Sequence, residues 1–206
     1  MQQPTSKLAG EVPSSPAGMP HLAGPAATVR QAMAAHFVDG LPHIVEIGGH
    51  LRPISGFLRQ TPDSFICIDP KSNPFESDTL NGKPCRVRHL ARKFQDVDLR
   101  LTRGSYGLVF VGYSLKAYGR QSAVGEKLYS LIDNSAMTVI EYSPNLQRAS
   151  EQMQHVLARP GMEMVCSLDF SIEDGSFETT EYGVRRLVVL RPRDDAGSTQ
   201  IAAANA

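Results

Sequence analysis

The sequence predicts an α/β protein: a doubly wound, mostly parallel seven-stranded sheet with a C-terminal antiparallel hairpin and helices on both faces. Three observations carry this. From residue 27 onward, short apolar runs alternate with segments of helical period. A glycine pair follows the first run, and an acidic residue ends the second. The last two runs are joined by the polar, glycine-containing stretch Glu173 to Tyr182, as a hairpin would be.

Residues 1–26 are rich in Pro, Gly, Ser and Ala without an apolar period, which predicts a flexible N-terminal arm. Such an arm is either a disordered tail or a lid or dimer arm that orders over a site. Val29, Ala32, Met33 and Phe37 then recur at helical spacing until Gly40 and Pro42, predicting an amphipathic helix. His43 to Gly48 is the first strand, Ile54 to Leu58 with Arg59 and Gln60 a helix and Ser64 to Asp69 the second strand, together a βαβ unit.

Cys85 to His89 reads as the third strand, and a helix is expected near Asp96 to Thr102. Tyr106 to Gly112 is apolar throughout, as a strand covered on both faces should be. A helix from Ser122 to Asn134, a strand from Met137 to Tyr142 and a helix from Asn145 to Arg159 follow. The closing strands are Glu163 to Ile172 and Val184 to Leu190. One domain therefore spans residues 27–192, with right-handed crossovers, and residues 193–206 read as a disordered tail.

Length and composition agree with a single domain: 206 residues, 41% hydrophobic and 20% charged. Twenty-one Lys and Arg balance 21 Asp and Glu, so no overall field draws the chain to nucleic acid or to an anionic membrane. The expected partner is a small-molecule substrate, with no nucleic acid and no membrane. No apolar run approaches the ~20 residues of a membrane helix and no secretory pattern opens the chain, so a cytoplasmic location is expected. Cys67, Cys85 and Cys166 form no CxxC pair, and neither a disulfide framework nor a zinc site is expected.

In an open parallel sheet the ligand crevice lies beyond the carboxyl ends of the strands, where the strand order reverses. After the first strand comes Glu46-Ile47-Gly48-Gly49-His50, whose glycines permit a tight turn and close approach to a ligand. Twenty-three positions after Glu46, Asp69 ends the second strand before Pro70. A carboxylate there can accept both hydroxyls of a ribose; as an ordinary turn residue it would only organise the chain before the proline. The turn lacks G-x-G-x-x-G, which disfavours a dinucleotide, and no GxxxxGK[ST] occurs.

At these residues the chain resembles the class I S-adenosylmethionine-dependent methyltransferases. The resemblance covers residues 27–192, with Glu46, Gly48 and Gly49 in the acidic-glycine loop and Asp69 in the acidic position ending strand two. His50, Arg52 and Pro53 depart from the small residues common there. The resemblance implies S-adenosylmethionine as cofactor, with Asp69 and the neighbouring Pro70 at the ribose. It places the Gly48-Gly49 backbone at the methionine part, and His89 and Leu90 beside the adenine.

Methyl transfer is an in-line displacement, so positioning and desolvation dominate and a base is needed only for a protonated acceptor. After the fourth strand, Gly112 permits close approach, while Tyr113 and Ser114 can hydrogen-bond cofactor or substrate. Lys116 could serve as a base if its pKa were lowered; otherwise it is a solvated cation. His50 could accept a proton near a strand end, as could His89, or either could be structural. The catalytic candidates are thus Tyr113, His50 and Lys116. Glu141 and Tyr142 end the fifth strand and either line the substrate side or simply cap the strand.

No Asp/Asn-Pro-Pro-aromatic box follows the fourth strand, which disfavours a DNA adenine methylase, and no metal is expected. The run RVRHLARK holds Arg86, Arg88, Arg92 and Lys93 and could bind RNA phosphates or an acidic substrate, or be a solvated strand and loop. The expected activity is methyl transfer to an oxygen or nitrogen of a small metabolite in a biosynthetic pathway, the arm or a second subunit in a homodimer covering the site. Two alternatives stand: the same scaffold performing cyclisation, elimination or rearrangement, or a degenerate non-catalytic partner subunit.

Overall fold

The computed structural model describes residues 25–48, 53–111, 123–171 and 184–193. Residues 1–24 of the expected arm and 194–206 of the expected tail lie outside the described residues, as do positions 49–52 and 112–122. Helix α1 spans Pro25–Val38, so it begins two residues inside the expected arm. Proline suits this first helical position, where its missing N–H has no intrahelical partner to lose.

The described strands are β1 (His43–Ile47), β2 (Ser64–Ile68), β3 (Phe75–Leu80), β4 (Lys83–Leu90), β5 (Tyr106–Val111), β6 (Met137–Tyr142), β7 (Met162–Ser171) and β8 (Val184–Pro192). They form one sheet in the order β3-β4-β2-β1-β5-β6-β8-β7. β4, β2, β1, β5 and β6 run parallel, whereas β8 is antiparallel to β6 and β7, and β3 is antiparallel to β4. The C-terminal hairpin is therefore present, with β8 lying inside it against β6.

The sheet has eight described strands and not seven. The added strand, β3, has no buried residue, so it carries no apolar alternation that would mark it. It exists because Asn81 (φ 53°) and Gly82 (φ 76°) form a two-residue turn with both centres left-handed, the geometry that returns a strand antiparallel onto its neighbour.

Both expected short helices are also corrected. Ile54–Phe57 is a single 3-10 turn, limited by Pro53 ahead of it and by Gly56 within it. Phe94–Asp96 is another, after which the chain runs without helix to Arg103. Val97, Leu99 and Leu101 recur at period two and pack on the core, a pattern that suits extended chain and not a helix.

Helices α2 (Ala123–Asn134) and α3 (Gln147–Leu157) supply Leu128, Ile132, Met153 and Val156 to the core on one face of the sheet, against Val45, Leu108 and Ile140. On the other face α1 packs Ala34, Ala35 and Val38 over Ile44, Val109 and Val139. The buried stripe of α1 thus differs from the one read from the sequence: Val29 and Ala32 are exposed, and Arg30 is buried. Small residues win the inner face because the helix lies close to β5, where a Cβ on Gly107 would come within 2.8 Å of the Val38 side chain.

Candidate functional site

β1 pairs with β2 on one side and β5 on the other, so the strand order reverses between β1 and β5. The register sets Glu46 beside Cys67 and Val109, and Ile47 beside Ile68 and Phe110. Gly48 leaves β1 at φ +91°, its N–H donating to the Ile68 carbonyl at 3.0 Å. A Cβ at this position would stand 2.8 Å from the Val111 carbonyl oxygen, so glycine is required by both conformation and space.

Glu46 is buried on the α1 face. One carboxyl oxygen, Oε2, accepts the Ile54 N–H at 2.9 Å and ties the 3-10 turn to β1. Oε1 is buried with no hydrogen-bond partner among the described residues. Burial pushes the Glu46 pKa up to about 8, the Ile54 hydrogen bond opposes the shift, and the charges of Asp69 and Glu141 add to it. At neutral pH Glu46 is therefore mainly a neutral acid that can donate as well as accept.

Asp69 follows β2 and is buried. Its N–H donates to the Leu90 carbonyl at 3.1 Å, while Oδ1 accepts the Lys71 N–H at 2.7 Å across the exposed Pro70. The Ser72 hydroxyl donates to the Asp69 carbonyl at 2.7 Å. Asp69 is thus a turn organiser, and this role fixes its carboxyl group at the strand end.

His89 lies beside Cys67, its ring 5.2 Å from that of Phe75 and 6.3 Å from that of Phe65. Burial lowers its pKa, so the ring is neutral at pH 7, and its Nε2 is buried without a partner among the described residues. Leu90 takes the opposite face, packing against the core beneath α2 and α3. The structure thus gathers Glu46, Gly48, Asp69, Pro70, His89 and Leu90 at the carboxyl ends of β1, β2 and β4. Gly49, His50, Gly112, Tyr113, Ser114 and Lys116 lie outside the described residues.

Sequence reasoning missed a buried ionic cluster. Oε1 of Glu141, at the end of β6, accepts from Nε of Arg30 and from Nε of Arg185, each at 2.9 Å. Both arginines are buried, and desolvation lowers the Arg30 pKa while Glu141 opposes the shift. Glu141 is thus anchored between α1 and β8 and contributes negative potential toward Glu46. A lone arginine in a helix and another in a strand gave no signal, because the partners are 111 and 44 positions apart. No group of three or more His, Cys, Asp or Glu among the described residues could hold a metal ion, and no described helix is long and apolar enough to cross a membrane.

The fold has clear structural relatives. The N-methyltransferase NodS from Bradyrhizobium japonicum WM9 matches with a TM-score of 0.53 at 10% identity, over 84% of this chain and 99% of that one. Its structure in complex with S-adenosyl-L-homocysteine gives 0.55 at 12% identity, over 84% and 91%. An rRNA methylase from Streptococcus thermophilus gives 0.50 at 9% identity, over 82% and 98%. No family model matches the sequence, and no curated protein matches it. At these identities the likeness is one of fold: the chain has the Rossmann-like fold of class I S-adenosylmethionine-dependent methyltransferases.

Proposed function

We propose that the chain transfers a methyl group from S-adenosylmethionine to an oxygen or nitrogen of a small-molecule metabolite in a biosynthetic pathway. The observation that supports it best is the switch point, where Glu46 and Gly48 end β1 and Asp69 ends β2 within a methyltransferase fold. The residues fit the cofactor's chemistry. Glu46 Oε1 is a buried polar atom with no partner among the described residues, at the strand end where a cofactor donor would meet it.

In this reading Asp69 receives the ribose hydroxyls, the Gly48 backbone borders the methionine part, and His89 and Leu90 flank the adenine. The bound cofactor supplies an electrophilic methyl group on a sulfonium. The chain's own contribution is to fix orientation and exclude water, which suits a site whose acids are buried and held by hydrogen bonds. Proton removal, where the acceptor needs it, falls to His50, Tyr113 or Lys116. A balanced charge of 21 against 21 favours a small acceptor over a polyanion. A cytoplasmic location and a homodimer covering the acceptor are parts of the same proposal.

One observation favours a second reading. Among the described residues a single 3-10 turn, Ile54–Phe57, is the helical structure between Gly48 and β2, so they include few helical N–H groups for a cofactor there. A scaffold that has changed its reaction, or has become a non-catalytic subunit, would tolerate this. Calorimetric titration with S-adenosylmethionine and S-adenosylhomocysteine separates cofactor use from a non-binding subunit, and product analysis with a labelled methyl group then separates methyl transfer from another reaction. The methyltransferase reading expects dissociation constants on the order of micromolar for both. Asp69→Asn, which keeps an oxygen for the Lys71 N–H, should weaken both by about tenfold. A folded chain that binds neither ligand would refute cofactor use.

A further inference from the structure

The segment after the Phe94–Asp96 turn runs without helix, and a groove is open beside it at the amino-terminal ends of β1, β2 and β4. Its volume is about 570 Å³, within the range of small-molecule sites. Arg86 and Arg88 of β4 and Arg100 of the crossing segment line it, with the Ser64 hydroxyl, which is 3.0 Å from His43 Nδ1. Asp63 and Asp78 line it too. A smaller adjoining cavity of about 260 Å³ is lined again by Arg86 and Arg88, with Glu76, Ser77 and Asp78.

Arg88 is the informative residue. Its Nε is buried without a hydrogen-bond partner among the described residues, a costly state for a guanidinium N–H. Arg100 is held by Asp98 at 3.3 Å, but both side chains are largely exposed, so the pair is weak and the cation can turn to a ligand. Planar guanidinium groups match phosphate oxygens in paired hydrogen bonds. Carboxylates in the same wall repel a continuous polyanion, yet they accept hydrogen bonds from amino or hydroxyl groups.

We propose that this groove is a binding site for a phosphorylated small molecule of about nucleotide size, its phosphate held by Arg86 and Arg88 and its donor groups by Asp63 and Asp78. The site is separate from the strand-end crevice. Arg86 pairs with Ser64 at the amino end of β2, five residue steps or roughly 16 Å from Asp69, while Arg88, beside Ile66 and two residues before Leu90, forms the end of the groove nearest that crevice. A ligand bound here acts as an effector or an anchor and not as the methyl acceptor.

Titration of the full chain with cytidine 5′-monophosphate and with cytidine tests the proposal. The nucleotide should bind at least about tenfold more tightly than the nucleoside. Arg86→Gln and Arg88→Gln should each reduce nucleotide affinity by about tenfold, with circular dichroism confirming the fold. Arg191→Gln, on the distant β8, should leave it unchanged. Saturating S-adenosylhomocysteine should not displace the nucleotide. Equal affinity for nucleotide and nucleoside, unchanged binding in both folded arginine variants, or displacement by S-adenosylhomocysteine would overturn it. So would affinity for oligocytidylate that rises with chain length, which would identify an RNA-binding face.

Discussion

Glu46 joins local chemistry to global stability. Its folded pKa of about 8 lies above the ordinary 4.5, so the native state holds a proton that the unfolded chain has released between those values. Stability from this group is complete below pH ~4.5, falls as pH rises toward 8 and is flat above it. Urea unfolding at pH 5.5, 7 and 8 should show that decline, and Glu46→Gln should flatten it. Glu141 responds differently, because its removal leaves the Arg30 and Arg185 charges buried without it. Glu141→Ala should cost about 3–5 kcal/mol in urea unfolding. At Gly48, alanine meets the Val111 carbonyl oxygen at positive φ and should cost about 1–3 kcal/mol together with cofactor affinity. Glu46, Gly48 and Asp69 were legible in the sequence because strand ends concentrate short-range signals. Arg30 and Arg185 were not, since only the folded chain brings them to Glu141.

The elements that were legible are those whose burial erases polar residues over a run. β1, β2, β5 and β6 are buried along nearly their whole length, and the sequence places each within a residue or two of where it lies. β3 escaped notice because Phe75–Leu80 turns nearly every side chain to solvent. Its signal is the Asn81-Gly82 pair, which encodes the hairpin independently of burial. The Asp96 to Thr102 stretch was misread for the opposite reason: its apolar residues are present, but their period is two. For α1, a face of Ala34, Ala35 and Val38 is less conspicuous than Met33 and Phe37, and only the approach to Gly107 explains the choice. Gly107→Ala should therefore separate helix from strand and cost about 1–3 kcal/mol, measured by chemical denaturation.

For the molecule as a whole, the two proposed sites lie toward opposite ends of the parallel strands. The carboxyl-terminal ends of these strands gather the buried acids, and their amino-terminal ends open the arginine-lined groove. The placement of β8 has a further consequence for how the molecule is made. β8 is synthesised after β7, yet it lies between β7 and β6 and pairs with both. While the ribosome has released only residues up to about 171, β6 has an open edge and the ten residues of β7 have no strand to join. The sheet therefore closes late, by insertion and not by addition at an edge, and the nascent chain exposes the open edge of β6 and an unpaired β7 in the interval. A ribosome-stalled chain with residues 1–171 clear of the exit tunnel should bind chaperones and remain protease-sensitive, whereas one tethered by a linker that also carries Val184–Pro192 clear of the tunnel should become protease-resistant.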